Sequence, residues 1–238
     1  SNIVTPTVTT SYTITGQNLS GCTNTAVATV TVRPRPLITA SSGSICSGGV
    51  YGILTSGASS YTITGGSFNV SPPTTTSYSV TGTSSLGCVS ATPAVATVTV
   101  HARPTITVNS GAICSGNAFT INPGGASTYT VTGGNFTVFP GSNTSYSVTG
   151  TSSLGCLSSN TAVASVTVNP LPFVTASSGS TCAGNTFVIV PGGASNYNIT
   201  GNSFTVSPSI TTSYSVTGTS TAGCASSNTA IATVTAIA

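Results

Sequence analysis

The run Thr75-Thr76-Ser77-Tyr78-Ser79-Val80-Thr81-Gly82, followed by Leu86-Gly87-Cys88 and then Ala94-Val95-Ala96-Thr97-Val98-Thr99-Val100, decides the fold. Tyr78, Val80, Ala96 and Val98 alternate with hydroxyl side chains, the period of two that belongs to a strand with one buried face. Val, Thr and Tyr favour the pleated backbone, so two strands joined by a Gly-containing turn are predicted. The same text returns at 144–150, Cys156 and 162–168, and again after an equal interval at 212–218, Cys224 and 230–235. Self-similarity at a fixed period marks an array of like units.

Working outward, Tyr61, Tyr129 and Tyr197 and then Phe68, Phe136 and Phe204 keep the same spacing. Each repeat is therefore one folding unit with its own core. Within the first, strands are predicted near 37–41, 50–55, 60–64, 67–70, 76–83 and 93–100, separated by Gly, Ser, Pro and Asn clusters. That spacing describes a small antiparallel β-sandwich. The expected units are 36–102, 103–169 and 170–238. Residues 1–35 carry only the trailing half of a repeat, from Tyr12 and Ile14 through Cys22 to Val30 and Val32. An isolated half-sandwich would expose its core, so this piece is read as completed by preceding residues of a longer chain or by strands of a neighbouring subunit.

Seven cysteines follow the same grid. Cys46, Cys114 and Cys182 are followed, at one constant interval, by Cys88, Cys156 and Cys224, and a disulfide within each repeat is expected. A sandwich of about 68 residues buries little apolar surface for its size, and a staple closing such a loop contributes about 4 kcal/mol in the chain-entropy model. No C-x-x-C occurs and no histidine repeats with the cysteines, which argues against redox or metal chemistry. Disulfides place the protein outside the cell, secreted or on the surface. Cys22 corresponds to Cys88, has no mate upstream within the chain and is the candidate for a link to another subunit.

Composition excludes whole classes of function. The 238 residues hold no Asp, Glu, Lys, Met or Trp, and Arg33, Arg35 and Arg103 are the only permanently charged side chains. Carboxylate-based glycoside hydrolysis, calcium binding and an acid-oriented histidine are all out of reach, and His101 stands alone. The reading is a protein that is not an enzyme and needs no cofactor or metal. Three arginines at the junctions between repeats make no surface for nucleic acid. The apolar runs are too short for a membrane-spanning helix. The junctions Arg33-Pro34-Arg35-Pro36, His101-Ala102-Arg103-Pro104 and Asn169-Pro170-Leu171-Pro172 are short and proline-stiffened, which favours a rod.

The ordered elements Ser44-Ile45-Cys46-Ser47-Gly48, Ser60-Tyr61-Thr62-Ile63, the Tyr78 run and Leu86-Gly87-Cys88 resemble the PKD-like or Ig-like tandem repeats of secreted surface proteins from Bacteroidetes-type bacteria. The resemblance covers essentially the whole chain. It implies Ig-like sandwiches used as a spacer, an adhesin stalk or a fibre. Members of that family commonly carry a Trp after the third-strand Tyr and an Asp-rich turn before Gly-Cys. Here Ile63, Val131 or Ile199 and Ser84-Ser85-Leu86 stand instead, which removes a carboxylate-based role.

Ser and Thr make up more than a third of the chain and supply its surface. Asn18, Asn69, Asn135, Asn143 and Asn198 head Asn-x-Ser/Thr sequons and are candidate glycosylation sites, with O-linked sugar on Ser and Thr as the commoner bacterial form of the same solution. Strands of high β-propensity without edge charges also suit self-association into a homopolymer. The expected function is a structural subunit or segment of an extracellular bacterial filament, stalk or sheath. The alternative is an adhesin or carbohydrate-binding spacer, for which Tyr51, Phe119 and Phe139 are the aromatic candidates. A third class, ice binding, rests on Thr29/Thr31 and Thr97/Thr99 on outward strand faces.

Overall fold

The structure is a computed structural model that describes residues 3–238, and among these every regular element is a strand. The chain divides into two compact units, Ser1–Arg103 and Pro104–Ala238. In the first, the strands of four or more residues are β1 (Thr10–Gln17), β2 (Thr23–Val30), β3 (Gly43–Cys46), β4 (Ser60–Ile63), β5 (Thr76–Thr83) and β6 (Ala94–His101). In the second they are β7 (Gly111–Cys114), β8 (Thr128–Val131), β9 (Thr144–Thr151), β10 (Ala162–Asn169), β11 (Gly179–Cys182), β12 (Asn196–Ile199), β13 (Thr212–Thr219) and β14 (Ala230–Ile237).

Each full repeat builds the same four-stranded sheet, in the orders β3-β6-β5-β4, β7-β10-β9-β8 and β11-β14-β13-β12. The three later strands pair antiparallel, as the alternation of Tyr78, Val80, Ala96 and Val98 predicts: Val80 faces Ala94 and Tyr78 faces Ala96. Short strand pairs lie on the other side of the core, such as Thr39–Ala40 with Thr55–Ser56 and Tyr51–Gly52 with Asn69–Val70. The result is an all-β array of Ig-like sandwiches. Its first core joins Ile38, Ile53, Ile63, Val70, Val80, Ala96 and Val98, with Tyr51, Tyr61, Phe68 and Tyr78 packed around them. The second and third cores repeat the pattern around Val148 and Val216.

One strand differs from expectation. Gly43–Cys46 reads as a Gly/Ser turn, yet it forms β3 and pairs parallel with β6, with Gly43 level with Val98 and Cys46 level with His101. The Ser42 hydroxyl accepts a hydrogen bond from the Thr97 amide at 2.9 Å and holds the entry to that strand. The predicted strand at 37–41 shrinks to Thr39–Ala40, ahead of it.

Hydroxyls on the outer face do more than meet water. Ser77 and Thr97 share a hydrogen bond at 3.0 Å across β5 and β6, as do Ser213 with Thr233 and Ser11 with Thr29. Such cross-strand pairs each contribute a few tenths of a kcal/mol, up to about 1. The outer face is not uniformly polar, because Val27, Val95, Val163 and Ile231, one per repeat, are exposed on it.

The tyrosines at 61, 129 and 197 brace the start of β4, β8 and β12. The Tyr61 hydroxyl donates to the Ala58 carbonyl at 2.9 Å and accepts from the Ala58 amide at 2.8 Å, and the other two do the same with Ala126 and Ala194. Across the sheet from these rings, Gly150 leaves no room for a side chain. A Cβ there would lie 2.7 Å from Ile106 Cδ1 and 2.8 Å from Ala126 Cβ, whereas Gly16, the corresponding residue of β1, has nothing within 4 Å. Overpacking of this kind costs about 1–3 kcal/mol. Gly150→Ala is therefore expected to destabilise its repeat by that amount in a urea titration, while Gly16→Ala leaves stability unchanged.

Candidate functional site

Three features set this chain apart chemically: where its cysteines meet, where its repeats join and where the β1–β2 sheet is left open. Parallel pairing of the Gly-x-x-Cys strand fixes the first cysteine of each repeat at the far end of the last strand, with Cys46 level with His101, Cys114 with Asn169 and Cys182 with Ile237. The second cysteine sits in the turn that precedes that strand. Ser84 accepts the Cys88 amide on its hydroxyl at 3.1 Å, and Gly87 closes the turn with φ +79°. The two cysteines of one repeat thus lie at opposite ends of the last strand, about 23 Å apart at about 3.3 Å per residue. A disulfide needs Cα atoms within about 7 Å.

That separation overturns the pairing expected within each repeat. Cys114 bonds not to Cys156 but to Cys224 of the following repeat, 110 residues away, with the Cα atoms 5.5 Å apart. Cys46 and Cys156 are disulfide-bonded as well. Cys88 and Cys182, both expected in bonds within their repeats, are free thiols, and so is the exposed Cys22. The Cys114–Cys224 bond therefore ties neighbouring sandwiches together and leaves each core to its own packing. The signal was in the sequence, since a periodic cysteine pair offers Cys114 two equivalent mates, Cys156 in its own repeat and Cys224 in the next. Choosing between them requires knowing which end of the sheet each cysteine occupies.

Two asparagines reinforce the start of the second and third repeats, and the sequence reading missed them. The Asn160 side chain accepts from the Ile106 amide at 2.8 Å and donates to the Ile106 carbonyl at 2.9 Å, imitating a strand neighbour. Asn228 does the same for Val174. In the first repeat the corresponding residue is Thr92. Nearby, the amides of Ser159 and Ser227 donate to the carbonyls of Pro104 and Pro172 at the starts of their repeats.

The β1–β2 sheet has the register of β5–β6, with Tyr12 opposite Ala28 and Ile14 opposite Ala26. Among the described residues it has neither a β3-like nor a β4-like neighbour. Ile14 is 59% exposed, whereas its counterpart Val80 is fully buried, and Val30 is exposed where Val98 is buried. Val4, Tyr12, Ile14, Ala28 and Val30 line an open hollow of about 430 Å³. A second hollow, of about 530 Å³, is lined by Arg33, Arg35, Gly87, Cys88 and Val89. It joins the free Cys88 thiol to two of the chain's three arginines.

Other candidates fall into place. Tyr51 and Phe119 pack against their cores, while Phe139 is 71% exposed. Asn18, Asn69, Asn135, Asn143 and Asn198 are all exposed. The amide oxygens of Asn18 and Asn143 are engaged by backbone amides, those of Ser20 and Cys22 for the first and of Val168 for the second. His101 is half-buried, its carbonyl accepting from the Ser47 amide. Among the described residues no three His, Cys, Asp or Glu side chains come together as a metal site, and no helix is long and apolar enough to cross a membrane.

No protein-family model matches the sequence, and no curated protein matches it. Among solved structures, the chain is similar to a Ca2+-stabilised adhesin with which an Antarctic bacterium binds ice, at 14% identity and TM-score 0.40 over 97% of this chain and 82% of that one. It is similar to part of a 1.5-MDa bacterial ice-binding adhesin, at 15% identity and TM-score 0.34 over 87% of this chain and all of that one. A Drosophila N-cadherin EC1-4 structure aligns over 99% of this chain and 85% of its own length, at 10% identity and TM-score 0.26.

Peptide mapping without reduction should recover Cys114 linked to Cys224 and no peptide linking Cys114 to Cys156. Asn228→Ala, which leaves both Val174 backbone groups unpaired, should cost the third repeat about 1–3 kcal/mol by denaturant titration.

Proposed function

We propose that this chain is a structural segment of an extracellular bacterial filament, stalk or sheath, assembled from Ig-like repeats that are cross-linked at their joints. The observation that carries the reading is the β1–β2 sheet, whose apolar face and both edges await strands that every other repeat supplies for itself. Burying Ile14 and Val30 as Val80 and Val98 are buried is favoured by about 1.5–3 kcal/mol for each such side chain. On this reading the half-sandwich is completed by a neighbouring subunit or by preceding chain, which supplies the strands that β1–β2 lack.

The rest of the surface fits the same role. Uncharged edge strands recruit neighbours by strand addition, and the exposed Val27, Val95, Val163 and Ile231 put one apolar contact on each repeat. Disulfides at the joints belong to an oxidising, extracellular setting. Exposed Ser, Thr and sequon asparagines offer places for glycans that would hydrate a chain with so little charge. A second reading, an adhesin spacer with a weak binding face of its own, is favoured by the exposed Phe139.

Electron microscopy of the native material tests the two against each other. Long regular filaments are the expected result, and isolated short particles would favour the spacer. Ile14→Lys puts a charge on the face to be buried and should abolish filaments while leaving the far-ultraviolet circular dichroism of the repeats intact. Unchanged filaments in that variant would remove β1–β2 from the assembly contact.

A further inference from the structure

We infer that the strand completing the β1–β2 sheet also carries a cysteine, and that this cysteine forms a disulfide with Cys88. The inference rests on the completion of that sheet proposed above, and three observations within the chain converge on it. In every full repeat the strand lying parallel along the last strand is Gly-x-x-Cys: Gly43–Cys46 on β6, Gly111–Cys114 on β10 and Gly179–Cys182 on β14. β2 is the counterpart of β6, with Val30 in the place of Val98, and among the described residues its edge carries no such strand. A Gly-x-x-Cys strand laid on β2 in the same register would bring its cysteine level with Arg33, the counterpart of His101.

Arg33 lines the hollow into which Cys88 opens, together with Arg35, Gly87 and Val89. Cys88 is a free thiol. The same arrangement, two repeats on, is already closed: Cys114, level with Asn169 at the end of β10, is bonded to Cys224 in the turn before β14. Cys224 occupies in the third full repeat the turn position that Cys88 occupies in the first. The hollow beside Cys88 is thus the place that Cys114 fills for Cys224.

The occupant is the amino-terminal half of a further repeat, with the chemistry of residues 36–75, rather than a second copy of these 238 residues. All three Gly-x-x-Cys strands of this chain are already paired within their own sheets, and Cys46 and Cys114 are already in disulfides. The remaining one, Cys182, is free and exposed but lies on β11, which is held by β14. By the same register Cys182 is the open half of the next joint, waiting for the turn cysteine of a following repeat.

The bond forms by two thiol–disulfide exchanges with a small-molecule disulfide as oxidant. The Cys88 thiolate attacks the small disulfide, forming a mixed disulfide and releasing one small thiolate. The incoming cysteine's thiolate then attacks the Cys88 sulfur and expels the second. The two protons lost by the protein thiols end on the two small thiols, which carry away the two electrons.

The test copies residues 36–75 directly ahead of Thr10 in the otherwise full chain, which keeps the repeat spacing, and oxidises it with glutathione disulfide. Alkylation under denaturing, non-reducing conditions should then label Cys22 and Cys182 only, and peptide mapping should link the added cysteine to Cys88. Cys88→Ser should restore labelling of the added cysteine while amide exchange in β1–β2 stays slowed. Slowed exchange in β1–β2 with the added cysteine free, or bonded to Cys22, would overturn the disulfide and leave the completion of the sheet standing. Unslowed exchange would overturn the completion itself. In the unextended chain, Cys88-linked dimers on a non-reducing gel would assign the position to a second copy and overturn the occupant argued here.

Discussion

The parallel pairing of Gly43–Cys46 with Ala94–His101, repeated twice more along the chain, is the constraint on which the remaining geometry depends. It closes the edge of the four-stranded sheet with a segment too short and too Gly-rich to be a strand in isolation. It also sets the end of the sheet at which the first cysteine emerges. An antiparallel partner at the same edge would have carried that cysteine toward the β5–β6 turn and allowed a staple inside the sandwich. Because the pairing is parallel, the thiol emerges at the opposite end, where a cysteine of another repeat can reach it.

This changes what the cysteines stabilise. A sandwich of this size lives on a small apolar core, and its rigidity comes from close packing such as that around Gly150 and from paired groups such as Asn160 with Ile106. The Cys114–Cys224 bond lies outside that account: it removes freedom from the joint between two already folded units. With no acidic side chain anywhere in the sequence, carboxylate-bound cations are unavailable to stiffen the joints, and covalent chemistry takes that place. The scarcity of charge and the position of the disulfides are two sides of one design.

Much of the fold could be read from the residues. The alternation of Tyr78, Val80, Ala96 and Val98 maps directly onto buried and exposed faces, because side-chain direction in a strand has a period of two. The repeat period likewise exposed β1–β2 as half of a sandwich, and burial of Val80 beside exposure of Ile14 is its structural counterpart. What could not be read was contact between distant segments. Residues 43–46 have no pattern of their own and become a strand only against 98–101, at the other end of the repeat. The disulfide register depends on that pairing, so the error in the strand propagated into the cysteines. Asn160 and Asn228 escaped notice for a similar reason: an amide that imitates a strand has no signature until its partner is beside it.

The joint disulfide also decides how the chain would respond to being pulled by its ends. Tension entering at one end and leaving at the other takes the shortest covalent route, and the Cys114–Cys224 bond offers a shortcut across 110 residues. Everything between the two sulfurs is slack with respect to that force. About 370 Å of extendable backbone, at roughly 3.4 Å per residue, is withheld as long as the bond is intact. Sandwiches with modest cores would unravel early in an uncross-linked thread. Here the force bypasses most of the second and third of them, and a reductant rather than a load is what releases their length.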